Sequence, residues 1–207
     1  MRVSPQPGDA GFSTIAGHVG GWVSAGQALL HDACRFTHVF QVLASIGDPD
    51  WPDGLIQEAM PGGMRVRPLA DRIRPGFAYR GLGLNSGQRA LVMATARGFM
   101  PGLAASTAAT PGVWDLRGPG YSFTSYAVLG MAQYRITRAL TPDQAVKGYI
   151  DRSGRFICSQ HVDEFQHRLG NRLFTDGRWR GDATPGDLWY VRDPNIIEPA
   201  PPSVDGA

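Results

Sequence analysis

The alternation of apolar and polar residues divides the chain into a strand-rich first half and a helix-rich second half. Residues 36–44, FTHVFQVLA, form the best β-run, with Val39, Val42 and Leu43 among its apolar positions. Residues 55–60 and 64–69 flank Pro61-Gly62-Gly63, a strong turn signal, and predict a hairpin. Residues 48–54, with two prolines, connect that hairpin to the preceding strand. Shorter strands are expected at 10–15, after a turn at Gly8-Asp9, and at 77–82. Trp22, Val23, Leu29 and Leu30 suggest a short helix interrupted by glycines.

The period then changes. Residues 86–99 carry Ala90, Leu91, Ala94 and Phe99 at helical spacing, and Pro101 ends the pattern. Helices are expected at 122–134 and at 141–149, the second opened by Thr141 as cap and Pro142 at the first helical position. Residues 157–169 read as an amphipathic helix with Val162, Phe165 and Leu169 on one face and Gly170 as its stop. Residues 184–191 read as a closing strand. The Ala-, Gly-, Thr- and Pro-rich stretch 100–120 is expected to lack a regular element and to border a cleft or a partner surface. The expected fold class is α+β: an antiparallel sheet or small barrel packed on a helix, one domain over 1–193 with an insertion at 100–120, then a Pro-rich extended tail at 194–207.

Composition narrows the classes. With 207 residues, 43% hydrophobic and 18% charged, the chain supports one well-formed core. A formal charge of +2 suits contact with an anionic polymer and is too weak to argue for nucleic-acid binding. Two cysteines, Cys34 and Cys158, make no disulfide framework, and five scattered histidines show no metal-ligand spacing, so neither metal nor cofactor is expected. The N-terminus, MRVSPQPGDAGF, has no basic-then-apolar pattern, so synthesis in a cytosol without a signal peptide is expected. No apolar run reaches the length of a membrane span.

The candidate chemistry lies in two distant segments. Cys158 falls at the start of the 157–169 helix, where free backbone N–H groups and the positive end of the dipole favour a thiolate and an oxyanion. A buried small apolar side chain is the alternative for a free cysteine. His38 lies on a strand, sharing a face with Phe36 and Phe40, and is either a rigidly held base or a satisfied core histidine. Glu58, on the neighbouring strand, is placed to accept from the far imidazole nitrogen, unless it is a solvent-facing strand residue; Asp48 and Asp50 compete for that role from a turn. His18 and His31 read as loop or surface residues, His161 and His167 as structural residues of the Cys158 helix, and Cys34 as a passive thiol near a strand start.

Together these segments resemble the permuted NlpC/P60 papain-like superfamily, in particular its YiiX-like members. PGDAGF at 7–12 resembles the opening Gly-Asp strand, and FTHVFQV at 36–42 the histidine strand. LIQEAMPGGMRVRPL at 55–69 resembles the following hairpin, FICSQHV at 156–162 the cysteine helix start, and ATPGDLWYV at 183–191 the closing segment. Phe40 stands where the family usually has glycine, and Gln160 and His161 replace its usual glutamate and leucine.

The resemblance implies a cysteine-dependent amide hydrolase with Cys158 as nucleophile, His38 as base and Glu58 as the orienting residue. It sets Tyr121 and Ser159 beside the substrate. It implies a peptidoglycan peptide or another amide as substrate, in a cell-wall endopeptidase such as a phage lysin or tail-associated enzyme, with virion tail proteins as partners and a location on the virion or at the cell wall. The alternatives are an amidase or acyltransferase on a lipid or small acyl substrate, and a non-catalytic docking component of an assembly such as a phage tail.

Overall fold

A computed structural model describes residues 4–15, 20, 21, 24, 27, 34–60, 63–73, 76–110, 116, 157–175 and 183–191. Within them the fold is α+β. Five antiparallel strands, β1 (Ala10–Ser13), β2 (His38–Ala44), β3 (Leu55–Met60), β4 (Gly63–Arg67) and β5 (Ala78–Arg80), form one sheet in the order β4-β3-β2-β1-β5. Four helices follow: α1 (Ser86–Ala90), α2 (Val92–Phe99), α3 (Cys158–Arg168) and α4 (Pro185–Tyr190). The expected helices at 122–134 and 141–149, the tail from 194, Tyr121, and the glycine-interrupted residues Trp22, Val23, Leu29 and Leu30 lie outside the described residues, as do His18 and His31.

The strands form where the sequence alternates. Val39 and Phe12 pack toward α3 with Val162, while Phe40, Val42 and Ile56 build a separate apolar cluster with Leu69. A register shift between Val42 and Ala44 breaks the alternation at the end of β2, so that Leu43 and Ala44 enter the same cluster. Trp51 joins them from the β2–β3 turn, where the Asp48 carboxylate accepts the Asp50 and Trp51 N–H groups at 2.9 and 3.1 Å.

The bulky Phe40 does not crowd its strand, because the residue paired with it across β1 is Gly11. The Phe40 ring lies over the Gly11 backbone, where any Cβ would collide with it. A small residue on one strand thus admits the large one on the next.

Four expectations are corrected. Residues 184–191 form helix α4 rather than a strand. Thr184 caps it by accepting from the Asp187 N–H at 2.9 Å, the Asp187 carboxylate accepts from the Thr184 N–H, also at 2.9 Å, and Pro185 opens the helix. That reciprocal cap prevails over the β-preference of Trp189 and Tyr190.

Residues 86–99 make two helices broken at Leu91, which is exposed along with Ala90 and Ala94. The buried side is Val92, Ala96 and Phe99. Phe36 does not share the His38 face: β2 begins at His38, and Phe36 packs against Phe12 and Trp189 on the α3 side.

Stretch 100–120 does carry a regular turn. Pro101–Leu103 is a 3-10 helix that buries Leu103 beside Met100, and the Ala108 N–H donates to the Asp50 carbonyl at 3.1 Å. This docks Ala108 at the β2–β3 turn, while Met100 and Leu103 pack in one apolar cluster with Ile157.

Gly11→Ala is expected to lower stability by about 1–3 kcal/mol, the usual cost of forcing extra volume into a packed site. Phe40→Leu combined with it should recover part of the loss in a double-mutant cycle of urea unfolding. Simple additivity would show that the two positions do not exchange volume.

Candidate functional site

Strand register brings the first two side chains together. Pairing of Gln41 with Gln57 and Val42 with Ile56 continues to set Glu58 opposite Phe40, diagonal to His38 and on its face. Diagonal neighbours lie about 7–8 Å apart at the backbone, a gap a glutamate bridges. The His38 Nε2 to Glu58 Oε2 distance is 3.0 Å, with both side chains buried.

The third side chain arrives on α3. Cys158 is its first residue. Near the other end of α3, the Gln166 amide donates to Gln41 Oε1 of β2 at 3.1 Å and to the Gly8 carbonyl at 2.9 Å. Eight residues of helix advance about 12 Å and three residues of strand about 10 Å. With Gln166 fixed beside Gln41, the two elements run the same way and the helix start meets the strand start. The Cys158 side chain is accordingly close enough to the His38 ring to raise its pKa. His38 Nδ1, the nitrogen left over from Glu58, makes no hydrogen bond of regular geometry, so this contact is looser than the Glu58 bond. Catalytic hydrogen bonds are commonly loose before substrate binds.

Electrostatics follow from the burial. Desolvation alone would lower the His38 pKa; hydrogen bonding of the protonated ring to Cys158 and Glu58 and the charges of both overcome it, and the ring is raised from 6.5 to about 9. Desolvation would raise Glu58, yet the His38 hydrogen bond and the charges of His38, Arg72 and Arg65 hold it down at about 2. The stable pair at neutral pH is therefore imidazolium and carboxylate. Arg65 Nε and Arg72 Nη2 each donate to Glu58 Oε1 at 3.1 Å.

The start of α3 is open to chemistry of its own. Its flanking residue is Ile157, which has no acceptor, so the cap position supplies no side-chain partner to the first-turn N–H groups. Gln160 instead reaches back and accepts the Ile157 N–H at 3.2 Å. A glutamine performs that task as a glutamate does, so the departure at Gln160 leaves the helix start intact. Cys158 itself is 1% exposed and packs among Phe12, Val39, Val162 and Leu188. Any reagent reaches the sulfur only when some of this cover moves.

The other expected residues divide clearly. Ser159 is fully buried and its Oγ has no hydrogen-bond partner, so it faces no open cleft in this state. Tyr121 lies outside the described residues. Asp48 is committed to its turn and Asp50 is exposed beside it. His161 is buried edge-on against Phe99 and Phe165, and burial first, then Arg168, lowers its pKa to about 3, which suits a neutral packing residue. His167 is half-buried later on the same helix. Cys34 lies ahead of β2 rather than in a strand; its thiol donates to the Phe36 carbonyl at 3.2 Å and accepts from the Gln27 amide at 3.5 Å. Among the described residues, no group of three or more His, Cys, Asp or Glu side chains forms a metal site, and no helix is long and apolar enough to cross a membrane.

Five contributors escaped the sequence reading: Arg65, Arg67, Arg72, Gln41 and Gln166. The arginines on β4 were open to counting, because a hairpin pairing Met60 with Gly63 must set Arg65 opposite Glu58. The two glutamines carry a weaker signal, a polar residue at a core position of an amphipathic pattern.

Compared with known proteins, the chain matches no family model, no curated protein and no solved structure.

The coupled pair predicts a pH profile of stability. A raised histidine contributes fully below its unfolded pKa of 6.5 and loses that contribution as pH rises through about 9. A depressed glutamate contributes above its unfolded value of 4.5 and loses its contribution as pH falls through about 2. Urea midpoints should therefore be highest between these unfolded values and decline from pH 6.5 to 9. His38→Gln should remove the alkaline decline. A wild-type midpoint that stays level over that range would contradict the charged pair.

Proposed function

We propose that the protein is a thiol hydrolase of amide bonds, with Cys158 as nucleophile, His38 as acid–base and Glu58 as the group that holds the imidazole. The observation that carries this reading is that one ring, His38, is held by the Glu58 carboxylate at 3.0 Å and has Cys158 near enough to raise its pKa. A ring protonated up to about pH 9 is already in its acid form at neutral pH. In this reading the thiol proton moves to His38 before substrate arrives. The sulfur attacks the carbonyl, the uncapped N–H groups of α3 stabilise the oxyanion, and His38 delivers its proton to the leaving amine. Water then hydrolyses the thioester, with His38 now taking its proton.

The resemblance to permuted NlpC/P60 enzymes points to a peptidoglycan peptide as substrate and to a papain-like arrangement of helix and sheet. The observed order, a histidine strand, a glutamate hairpin and then a cysteine helix, supports that reading. A cell-wall enzyme released to its target, or carried on a virion, fits it. A second reading, a docking component without turnover, draws on the 1% exposure of Cys158 and its apolar neighbours.

The two readings separate on one protein. Cys158→Ala should abolish release of peptides from purified cell wall, read by mass, and leave the thermal midpoint nearly unchanged. His38→Ala should cost about 10²–10⁴ in turnover, the usual contribution of a positioned acid–base. Glu58→Gln should cost less, and the three losses should not add. Wild-type kcat/KM should fall as pH rises through about 9, where the imidazolium is lost. Full hydrolysis by Cys158→Ala would remove the nucleophile assignment. No hydrolysis by wild type on any cell-wall or acyl-amide substrate would favour the docking reading.

A further inference from the structure

Glu58 has more positive partners than its charge requires. Arg65 and Arg72 hydrogen-bond to it, and the Arg67 Nε stands 3.7 Å from Oε1, too far for a hydrogen bond. With His38 on Oε2, one carboxylate faces three permanent cations and a histidine. Glu58 is the only ion-pair partner of these arginines among the described residues. Three guanidiniums around one carboxylate leave an excess of two positive charges within this group of side chains.

The geometry of the arginines tells which donors are committed. Arg65 and Arg67 are alternate residues of β4 and point to one face of the sheet. Arg72 comes from the following 3-10 turn. Its carbonyl accepts from the Tyr79 hydroxyl at 2.8 Å, and its guanidinium lies over the Phe77 ring at 5.5 Å. Arg72 is thereby held in place, and its Nε is buried with no acceptor among the described residues, so that its outer nitrogens are the ones turned toward solvent. The Arg67 side chain makes no hydrogen bond with the described residues. The three side chains are 32%, 44% and 19% exposed for Arg65, Arg67 and Arg72, so the cluster opens to solvent while its inner edge touches Glu58.

We propose that Arg65, Arg67 and Arg72 form an oxyanion-binding site beside the His38–Glu58 pair, which takes a carboxylate or phosphoryl group of the substrate. The excess of positive charge supplies attraction, and guanidinium forks match the planar or tetrahedral oxygens of such groups. The Glu58 charge opposes an incoming anion, but it is outnumbered and already bonded to Arg65, Arg72 and His38. Use of the site in catalysis rests on the hydrolase reading; binding at the site does not.

The test is a titration of wild-type protein with inorganic phosphate and, separately, with acetate at constant ionic strength. The arginine Nε–H signals are followed by NMR. Saturable shifts at Arg72 and Arg67 are expected. Arg67→Ala, a change at the most exposed of the three, should weaken binding about tenfold, in line with loss of a charge-assisted contact. Arg67→Lys should retain part of it, through charge without the fork. Stronger binding of phosphate assigns the site to phosphoryl groups, and comparable binding of acetate assigns it to carboxylates. Failure of either anion to saturate, or equal binding by Arg67→Ala and wild type, overturns the proposal. Arginine-dependent binding in a protein that hydrolyses nothing would leave the site standing and remove the hydrolase reading. Hydrolysis without anion binding would do the reverse.

Discussion

A carboxylate with no exposure, at the middle of an antiparallel sheet, dictates much of what surrounds it. Glu58 on β3 cannot remain ionised there without partners. It receives His38 on one oxygen, Arg65 on the other and Arg72 on both, and each partner sits where local structure delivers it. His38 comes from the diagonal position on β2, Arg65 from the hairpin partner, and Arg72 from a turn pinned by Tyr79. The histidine is thus fixed by the same network that makes the carboxylate tolerable. An imidazole held this way has one nitrogen committed, and only the other is free for chemistry.

The thiol is brought near that ring through a different constraint. Buried amides tie α3 to the sheet: Gln166 to Gln41 and Gly8, Gln41 to the Asp9 carbonyl at 2.9 Å, and Asn171 to Gln166 at 2.8 Å. Apolar packing holds the helix against the sheet but permits sliding by a turn. A hydrogen-bonded glutamine pair in the core does not, because a slip leaves polar groups buried and unpaired. The amide network sets the axial position of Cys158, and the carboxylate network sets the ring it meets.

Much of this was legible in the sequence, for physical reasons that vary by element. The β2, β3 and β4 strands were separated by strong punctuation at 48–54 and at Pro61 to Gly63, and they form there, although a register shift breaks the alternation at the end of β2. His38, Glu58 and Cys158 stood out because each sat at a place where its chemistry has use. Helix α4 was missed because Leu188, Trp189 and Tyr190 read as strand-forming, whereas Thr184 and Asp187 cap each other and decide the outcome. The inner face of α2 was missed because the single pattern assumed over 86–99 is in fact two helices offset at Leu91. The Arg65 pairing needed only the register of a hairpin, but Arg72 depends on a tertiary fold-back that no local pattern encodes. The burial of Cys158 likewise arises from contacts with β1, β2 and α4, distant in sequence.

The central claim is that His38 activates Cys158, and alkylation kinetics test it most directly. Wild-type and His38→Gln proteins would be treated with iodoacetamide at neutral pH, and labelling of Cys158 and Cys34 followed by peptide mass. Cys34 is the more exposed thiol, so accessibility alone favours its modification first. The account predicts that Cys158 is labelled faster than Cys34 in the wild type, because an imidazolium partner and a helix N-terminus favour its nucleophilic thiolate, and that His38→Gln reverses the order. Faster labelling of Cys34 in the wild type, or a Cys158 rate unchanged by His38→Gln, would contradict it.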